Sequence, residues 1–203
     1  MAAAHLSKVD RALSRIIAKV GPGDVAIPRS VNPYKTLVTA VAHQQLTGKA
    51  ANTILGRVKA LYPGKAFPTP EDLVGTPDAK LRSAGFSRAK VAAVKDIAAK
   101  TLDGMIPGAR AMAKMSDVEI VERLTSIRGV GPWTVEMMLI FTLGRPDVLP
   151  ATDYGVRKGF AMTYKLRELP TPKEVLAYGE RWRPHRSAAA WYLWRATELL
   201  GKP

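Results

Sequence analysis

The chain has 203 residues and carries 31 Lys and Arg against 17 Asp and Glu, a formal net charge of +14. An excess this large favours a polyanionic partner, and nucleic acid is the first candidate. A membrane surface is the alternative, but the basic residues are spread along the chain and do not gather on one amphipathic segment. The chain has no cysteine, which excludes disulfides, thiolate zinc sites and iron–sulfur clusters held by cysteine.

The N-terminal stretch MAAAHLSKVDRA lacks the basic and apolar regions of a signal peptide. The apolar run MMLIFTL at 137–143 is far shorter than the roughly 20 residues that span a bilayer. The three histidines are too scattered to suggest a metal site. We therefore expect a soluble intracellular protein, cytoplasmic and nucleoid-associated in a bacterium or nuclear in a eukaryote.

Apolar residues recur at helical spacing along most of the chain, and Pro/Gly clusters separate the segments, which predicts an all-α protein. Ser7 is placed to cap a first helix that ends at Gly21, and a linker follows over 26–33. Ser116 and Glu119 are spaced as a capping box. The remaining helices are predicted over 33–45, 50–64, 70–75, 77–85, 87–102, 116–127, 133–144, 154–164, 172–182 and 185–200.

The stretch RGVGPW at 128–133 interrupts this helical pattern. A helix interior disfavours it, because each Gly costs about 1 kcal/mol and an internal Pro about 3. Glycine permits positive φ and close approach of a foreign surface, Pro132 suits the first position of a helix, and free amides at a helix start can bind a phosphate. The alternative is a tight corner with a glycine C-cap. A dinucleotide fingerprint and a P-loop are excluded, since Thr134 replaces a third glycine and no Gly-Lys-Ser/Thr follows.

The stretch LTSIRGVGPWTVEMMLIFTLGRPDVLPATDYGVRKGF resembles the helix-hairpin-helix superfamily of base-excision DNA glycosylases, and within it the 3-methyladenine DNA glycosylase II type. AVAHQQLTGKAANTILGRV, LRSAGFSRAKVAAVKDIA and ERWRPHRSAAAWYLW agree with that family in the same order. The resemblance implies a two-lobe all-α fold with an active-site cleft between the lobes. A helical barrel over 34–145 would carry the hairpin, and 1–33 with 146–203 would form the second lobe. The implied activity is hydrolysis of the N-glycosidic bond of alkylated purines, chiefly 3-methyladenine and 7-methylguanine, in double-stranded DNA.

Asp153 falls on the family's catalytic aspartate. Its implied role is to stabilise the oxocarbenium ion that forms as the base leaves and to orient or deprotonate the attacking water. The alternative is that Asp153 or Thr152 only caps the following helix. Asp147 is the nearest competing carboxylate, although it has the surroundings of a solvated loop residue.

The resemblance also implies the residues that bind the flipped base. Lyase-type members carry a nucleophilic lysine where Trp133 stands, so a monofunctional glycosylase is expected. Trp133 and Trp194 match pocket aromatics that could attract a cationic base, and Tyr154 adjoins the aspartate. Met137 stands where members of the 3-methyladenine DNA glycosylase II type have a tyrosine, so the stacking surface is expected to be smaller and the damaged-base spectrum different. The alternative for tryptophans on helices is a place in the core, and we expect this of Trp182 and Trp191.

For DNA contact, Leu46 occupies the position of the side chain that fills the gap left by the flipped base, and Gln45 beside it could bond the opposite base. His43 is expected to be structural. Further implied contacts are backbone ones: DNA-binding amides at Gly129, Gly131 and Thr134, and carbonyls that could hold a sodium or potassium ion at Thr125, Ile127 and Val130. No organic cofactor is expected, and the protein is expected to be a monomer.

Two other functions remain open at this stage. A non-catalytic helix-hairpin-helix DNA-binding module would not require Asp153 together with pocket tryptophans. A glycosylase for oxidised or mispaired bases is disfavoured by the missing lysine and the missing cluster cysteines. A helix-turn-helix repressor is disfavoured as well, because its turn does not need a G-x-G-P sequence.

Overall fold

A computed structural model describes residues 1–23 and 32–201. These residues form helices and no strand, so the prediction of an all-α protein is confirmed. None of the described helices is long and apolar enough to cross a membrane. In chain order the helices are α1 Ala2–Val9, α2 Arg11–Val20, α3 Pro33–His43, α4 Gly48–Ala60, α5 Pro70–Gly75, α6 Asp78–Ser83, α7 Arg88–Leu102, α8 Ala109–Met112, α9 Asp117–Thr125, α10 Pro132–Phe141, α11 Tyr154–Tyr164, α12 Pro172–Gly179 and α13 Arg186–Leu200, with a 3-10 turn at Glu180–Trp182.

Side-chain caps define several helix starts. The predicted capping box of Ser116 and Glu119 is confirmed at α9. The same reciprocal arrangement joins a threonine to an acidic residue at the starts of α5 and α12. Because the first-turn amides of a helix lack intrahelical acceptors, each box satisfies donors that would otherwise face water or stay unpaired.

The predicted first helix is wrong in its start. Ser7 lies inside α1, and Asp10 ends that helix and caps α2, accepting hydrogen bonds from the amides of Ala12 and Leu13. A helix cap requires extended backbone at the capping residue, and that conformation occurs at Asp10 rather than Ser7. The short helix α8 was not predicted. The linker predicted over 26–33 lies outside the described residues, apart from Asn32 and Pro33 at the start of α3.

The described residues divide into two compact units. Residues 32–138 form what we call the middle unit, and residues 1–23 with 139–201 form the terminal unit. The division falls within α10, after Met138. The lobe boundaries predicted from the sequence, at 33/34 and 145/146, stay a prediction.

In the middle unit, α7 is the central helix and packs against α3, α5 and α6. Its buried face comprises Val91, Ala93, Val94, Ile97 and Ala98. These side chains have the spacing of one face of an α-helix, so the same pattern that predicted the helix also gives its buried side. The start of α10 and the end of α3 belong to this same unit.

The terminal unit has its own core, built from α1, α2, α11 and α13 around Trp182 and Tyr192, both of which are fully buried. Asp10 is buried with them at 3% exposure. Its carboxylate accepts hydrogen bonds from Trp182 Nε1 and from the hydroxyl of Tyr164, besides the two helix amides. A buried carboxylate is stable only when its oxygens are bonded in this way.

Candidate functional site

The turn between α9 and α10 requires one of its two glycines. Gly129 has φ of +76°, and a Cβ added there would lie 2.7 Å from the Cβ of Ala93 on α7. Two hydrogen bonds hold the turn: the Arg128 amide donates to Asp96 Oδ2 over 2.8 Å, and Gln44 Nε2 donates to the Gly129 carbonyl over 2.9 Å. The turn is therefore a fixed structure anchored on α7 and on the end of α3.

The second glycine has no such internal requirement. A Cβ added at Gly131 would meet nothing within 4 Å. The Gly131 carbonyl accepts from the Val135 amide, so α10 begins at Pro132 as predicted, and the Thr134 amide lies in its first turn. First-turn amides have no intrahelical acceptor and carry the positive end of the helix dipole. This surface can therefore receive an anion that approaches the backbone closely.

The turn between α3 and α4 presents Leu46, which is 40% exposed. Gln45 precedes it with φ of +57°, a conformation that is uncommon outside glycine. Lys90 of α7 holds the turn, because its Nζ donates to the carbonyls of Ala42 over 2.7 Å and of Gln44 over 2.8 Å. Partial burial lowers the pKa of Lys90. Leu46, the residue predicted to fill the gap left by a flipped base, therefore stands on a turn that Lys90 holds in place; we call residues 44–47 the wedge turn.

A pocket of about 400 Å³ opens beside this turn, within the middle unit. Trp133, Thr134 and Met137 line it from α10, and 43–45 line it from the end of α3. Trp133 is 42% exposed, so much of its indole is accessible. His43, expected to be structural, is one of the lining residues. Its place beside Trp133 follows from helix packing, which the sequence pattern around HQQ did not reveal.

In the terminal unit, Asp153 is the N-cap of α11, as the capping alternative predicted. Its Oδ1 accepts two hydrogen bonds of 2.8 Å each, from the Val156 amide and from Trp194 Nε1 of α13. The Trp194 ring also packs against Phe141, with ring centroids 5.5 Å apart. A capping role and a catalytic role are compatible, because two donors on different helices fix the carboxylate in one orientation.

Comparison with known proteins gives the family. The profile of the HhH-GPD superfamily of base excision DNA repair proteins matches residues 38–184, well over half of the chain. The chain belongs to the HhH-GPD superfamily. DNA-3-methyladenine glycosylase 1 of Schizosaccharomyces pombe is 42% identical to this HhH-GPD protein over 198 residues, 96% of this chain and 86% of that protein.

Two solved structures resemble this HhH-GPD protein along nearly its whole length. The S. pombe 3-methyladenine DNA glycosylase Mag1, in complex with abasic DNA, has a TM-score of 0.89 at 41% identity and is covered to 98% by the whole of this chain. The DNA-3-methyladenine glycosidase of Bacillus halodurans has a TM-score of 0.83 at 34% identity, covering 95% of this chain and 86% of its own. The resemblance to the helix-hairpin-helix glycosylases is thus confirmed for fold and family.

The predicted site residues of this HhH-GPD protein lie in both units. The middle unit carries the hairpin, the wedge turn and the pocket of Trp133 and Met137, whereas the terminal unit carries Asp153, Tyr154 and Trp194. Tyr154 is 65% exposed. The cleft predicted between the lobes stays a prediction.

Asp147, the competing carboxylate, is not the solvated loop residue that the sequence suggested. One oxygen pairs with Arg186 and the other with Arg183, each at 2.8 Å. Ser187 at the start of α13 binds the same loop, accepting from the Val148 amide and donating to the Arg145 carbonyl. Since both Asp147 oxygens face guanidinium groups, this residue anchors the loop that leads to Asp153.

The expectation that Trp182 and Trp191 belong to the core is confirmed in different degrees. Trp182 is fully buried and bonded to Asp10. Trp191 is partly buried and packs against the same core. Gln44 is a residue that the sequence analysis missed: its side chain joins the wedge turn to the hairpin.

Proposed function

We propose that this chain is a monofunctional DNA glycosylase that hydrolyses the N-glycosidic bond of alkylated purines, chiefly 3-methyladenine and 7-methylguanine, in double-stranded DNA. The observation that carries the proposal is the carboxylate of Asp153, held by the Val156 amide and the Trp194 indole. The 42% identity to the S. pombe DNA-3-methyladenine glycosylase 1 supports the same activity. A binding module without catalysis would need Asp153 only as the N-cap of α11 and gives no reason for the second hydrogen bond, from Trp194.

The proposed chemistry needs one anionic group near the sugar. As the base departs, positive charge develops on the deoxyribose ring, and a fixed carboxylate stabilises this charge without reorganising. The same group can orient the attacking water or accept its proton. Alkylation at a ring nitrogen makes the base cationic while it is still attached to the deoxyribose. Cleavage of the N-glycosidic bond therefore releases a neutral alkylated purine. The proposed roles of Asp153 are therefore electrostatic stabilisation and water activation.

The pocket of the middle unit is the proposed receptor for the extruded base. The exposed indole of Trp133 offers an aromatic face, and Met137 and His43 stand beside it. A cationic base over an aromatic face gains about 0.5 to 2 kcal/mol, which a neutral base does not. This difference favours alkylated purines over normal ones. Tyr154 is proposed as a further contact to the nucleotide, since it is exposed next to Asp153.

The proposed DNA contacts combine the hairpin and the wedge turn. The amides of Gly129, Gly131 and Thr134 would bind a phosphate, and the open space at Gly131 allows its close approach. Leu46 would fill the gap left by the flipped nucleotide, with Gln45 facing the opposite base.

The hairpin is also a proposed site for a monovalent cation. Backbone carbonyls of Thr125, Ile127 and Val130 would hold the sodium or potassium ion, and its positive charge would favour a phosphate at the hairpin. The residues fit such an ion: Thr125 ends α9, where carbonyls lack intrahelical donors. The Ile127 carbonyl accepts one hydrogen bond, from the Val130 amide, which leaves it a second lone pair.

The test is base release from methylated duplex DNA by the wild type and by Asp153→Asn. We expect the variant to lose excision and keep its affinity for DNA, because asparagine can still cap α11 but carries no charge. Asp103→Asn, at an exposed carboxylate that ends α7, is the matched control and should excise normally. Equal excision by Asp153→Asn and the wild type would remove Asp153 from the mechanism.

The same reactions test whether the protein has lyase activity. A lysine nucleophile would form a Schiff base with the sugar, whereas the indole at Trp133 cannot. We therefore expect an intact abasic strand as product and no covalent adduct after borohydride treatment. Trapping in proportion to excision would show that another residue acts as nucleophile and would contradict the monofunctional assignment.

A further inference from the structure

Gly155 lies in the first turn of α11, two residues after Asp153. A Cβ added there would lie 2.8 Å from Trp194 Cδ1, 3.0 Å from Trp194 Nε1 and 3.1 Å from Asp153 Oδ1. The φ angle of Gly155 is not positive, so the backbone conformation itself does not require glycine. The requirement comes from the indole, which occupies the space of a side chain at this position.

A second glycine, one turn further along α11, brings the two helices together. A Cβ added at Gly159 would lie 2.0 Å from the Leu193 carbonyl oxygen of α13. Gly155 and Gly159 therefore lie on the same face of α11, four residues apart, and both are covered by α13. The close crossing at Gly159 and Leu193 places the next residue of α13, Trp194, against the start of α11.

We infer that Trp194 is a positioning residue for Asp153. Because Gly155 has no side chain, it leaves the space in which the indole of Trp194 reaches the carboxylate. The inference rests on the proposed function and replaces the base-stacking role that the family resemblance implied for Trp194. The indole N–H and the Val156 amide both donate to Oδ1, each over 2.8 Å. The two donors come from separate helices and converge on one oxygen, so the indole N–H ties the position of Oδ1 to α13 as well as to α11.

The surroundings of the two candidate tryptophans differ in the way this assignment requires. The Trp194 ring packs against Phe141, its edge faces Gly155, and its N–H is bonded to Asp153. Trp133, in contrast, is 42% exposed and lines the pocket of the middle unit. Trp133 is thus suited to receive a base, and Trp194 to hold the carboxylate.

The experiment measures the excision rate constant with enzyme in excess over methylated duplex DNA, and separately the enzyme concentration at half saturation. Trp194→Phe keeps an aromatic ring and removes the N–H. We expect it to lower the rate constant about tenfold or more and to leave half saturation within about twofold. Trp191→Phe, on the same helix, is the matched control and should change neither. An unchanged rate constant with weaker saturation would assign Trp194 to base binding and overturn the inference.

Gly155→Ala tests whether the indole needs the space at Gly155, and it removes no polar group. The added methyl must displace the indole, so we expect a loss of rate constant similar to that of Trp194→Phe. Gly56→Ala is the control, because Gly56 lies inside α4 and a Cβ there meets nothing within 4 Å. Excision by Gly155→Ala at the wild-type rate would overturn the inference.

A double-mutant cycle separates positioning from a general structural effect. If Trp194 acts through Asp153, adding Trp194→Phe to Asp153→Asn should not reduce the residual release of 7-methylguanine further. A full additional loss in the double variant would show an independent role. If the tryptophan variants fail to fold, the NMR chemical shift of the Trp194 indole N–H gives a second test in a protein that keeps this tryptophan. We expect this chemical shift to differ between the wild type and Asp153→Asn, because the N–H donates to Asp153. An unchanged chemical shift would overturn the inference.

These outcomes are distinct from failure of the proposed function. If the wild type and Asp153→Asn excise equally, Asp153 is not catalytic and the proposed mechanism fails. If Asp153→Asn is inactive while Trp194→Phe and Gly155→Ala excise normally, the proposed function stands and only the positioning role is wrong.

Discussion

At the scale of single residues, the hairpin contains two glycines with different reasons to be glycine. Gly129 has positive φ and lies against Ala93. We expect Gly129→Ala to lower the free energy of unfolding by about 2 kcal/mol or more, because an L-residue at this φ costs about 1 to 2 kcal/mol and the methyl group adds a clash. Thermal and denaturant unfolding measure the loss.

Gly131→Ala is the matched substitution at the second glycine of the hairpin, and we expect it to change DNA affinity rather than stability. Its Cβ meets nothing within 4 Å, so stability should stay within about 0.5 kcal/mol. The methyl group would instead separate a phosphate from the amides, so affinity for duplex DNA should fall several-fold. Equal DNA affinity of this variant and the wild type would argue against a phosphate at Gly131.

The residues of the site could be predicted from sequence only where a motif fixes their role. The assignments of Asp153 and Trp133 come from the family pattern around the hairpin, and both stay predictions. Asp147 was misjudged, because its partners Arg183 and Arg186 lie far along the chain. The contact of Trp194 with Asp153 was not predictable either, since it depends on the crossing of α11 and α13 at Gly159. Contacts between distant segments leave no periodic signal in a single sequence.

At the scale of elements, the capping boxes predict how stability depends on pH. The carboxylates of Glu119 and Glu174 accept hydrogen bonds from the side chain and the amide of their N-cap residues, which lowers the pKa of each below its usual 4.5. A carboxylate whose pKa is lower in the folded state stabilises the fold above the unfolded pKa and loses this effect as pH falls through the folded pKa.

We therefore expect the double variant Glu119→Gln and Glu174→Gln to be less stable than the wild type at neutral pH, and the difference to shrink as pH falls below about 4.5. Denaturant unfolding across this range measures the difference. Glu122→Gln with Glu168→Gln changes the net charge equally without touching a cap and is the control. A difference that stays constant with pH would mean that the charge of the caps does not matter.

Helices with strong apolar periodicity and clear caps were predicted well, and the exceptions have physical reasons. The division of the first segment into α1 and α2 was missed because Asp10 was not recognised as a cap. Its carboxylate is satisfied by Tyr164 and Trp182 from the other end of the chain. The four residues of α8 are too few to show a helical period. Local patterns therefore gave the long helices, and tertiary contacts decided the breaks.

At the scale of the whole molecule, the net charge of +14 concerns DNA affinity rather than catalysis. A protein that neutralises phosphates releases their counterions. The logarithm of its binding constant therefore falls linearly with the logarithm of the salt concentration, with a slope of about −0.9 per phosphate contacted. We expect binding to undamaged duplex to weaken at least tenfold between about 50 and 200 mM salt. The excision rate constant at saturating enzyme should change less than about twofold, because in the proposed mechanism the carboxylate of Asp153 acts within the complex that has already formed.

Two variants make this prediction specific. Lys49→Ala removes an exposed charge in the first turn of α4, next to the turn that carries Leu46, and should reduce the salt slope by about one. Gly131→Ala should weaken binding with an unchanged slope, since a backbone amide releases no counterion. A salt slope near zero for the wild type would mean that the excess of basic residues serves another purpose than DNA binding. An excision rate constant that follows the salt dependence of binding would mean that the bound complex is not yet the reactive one.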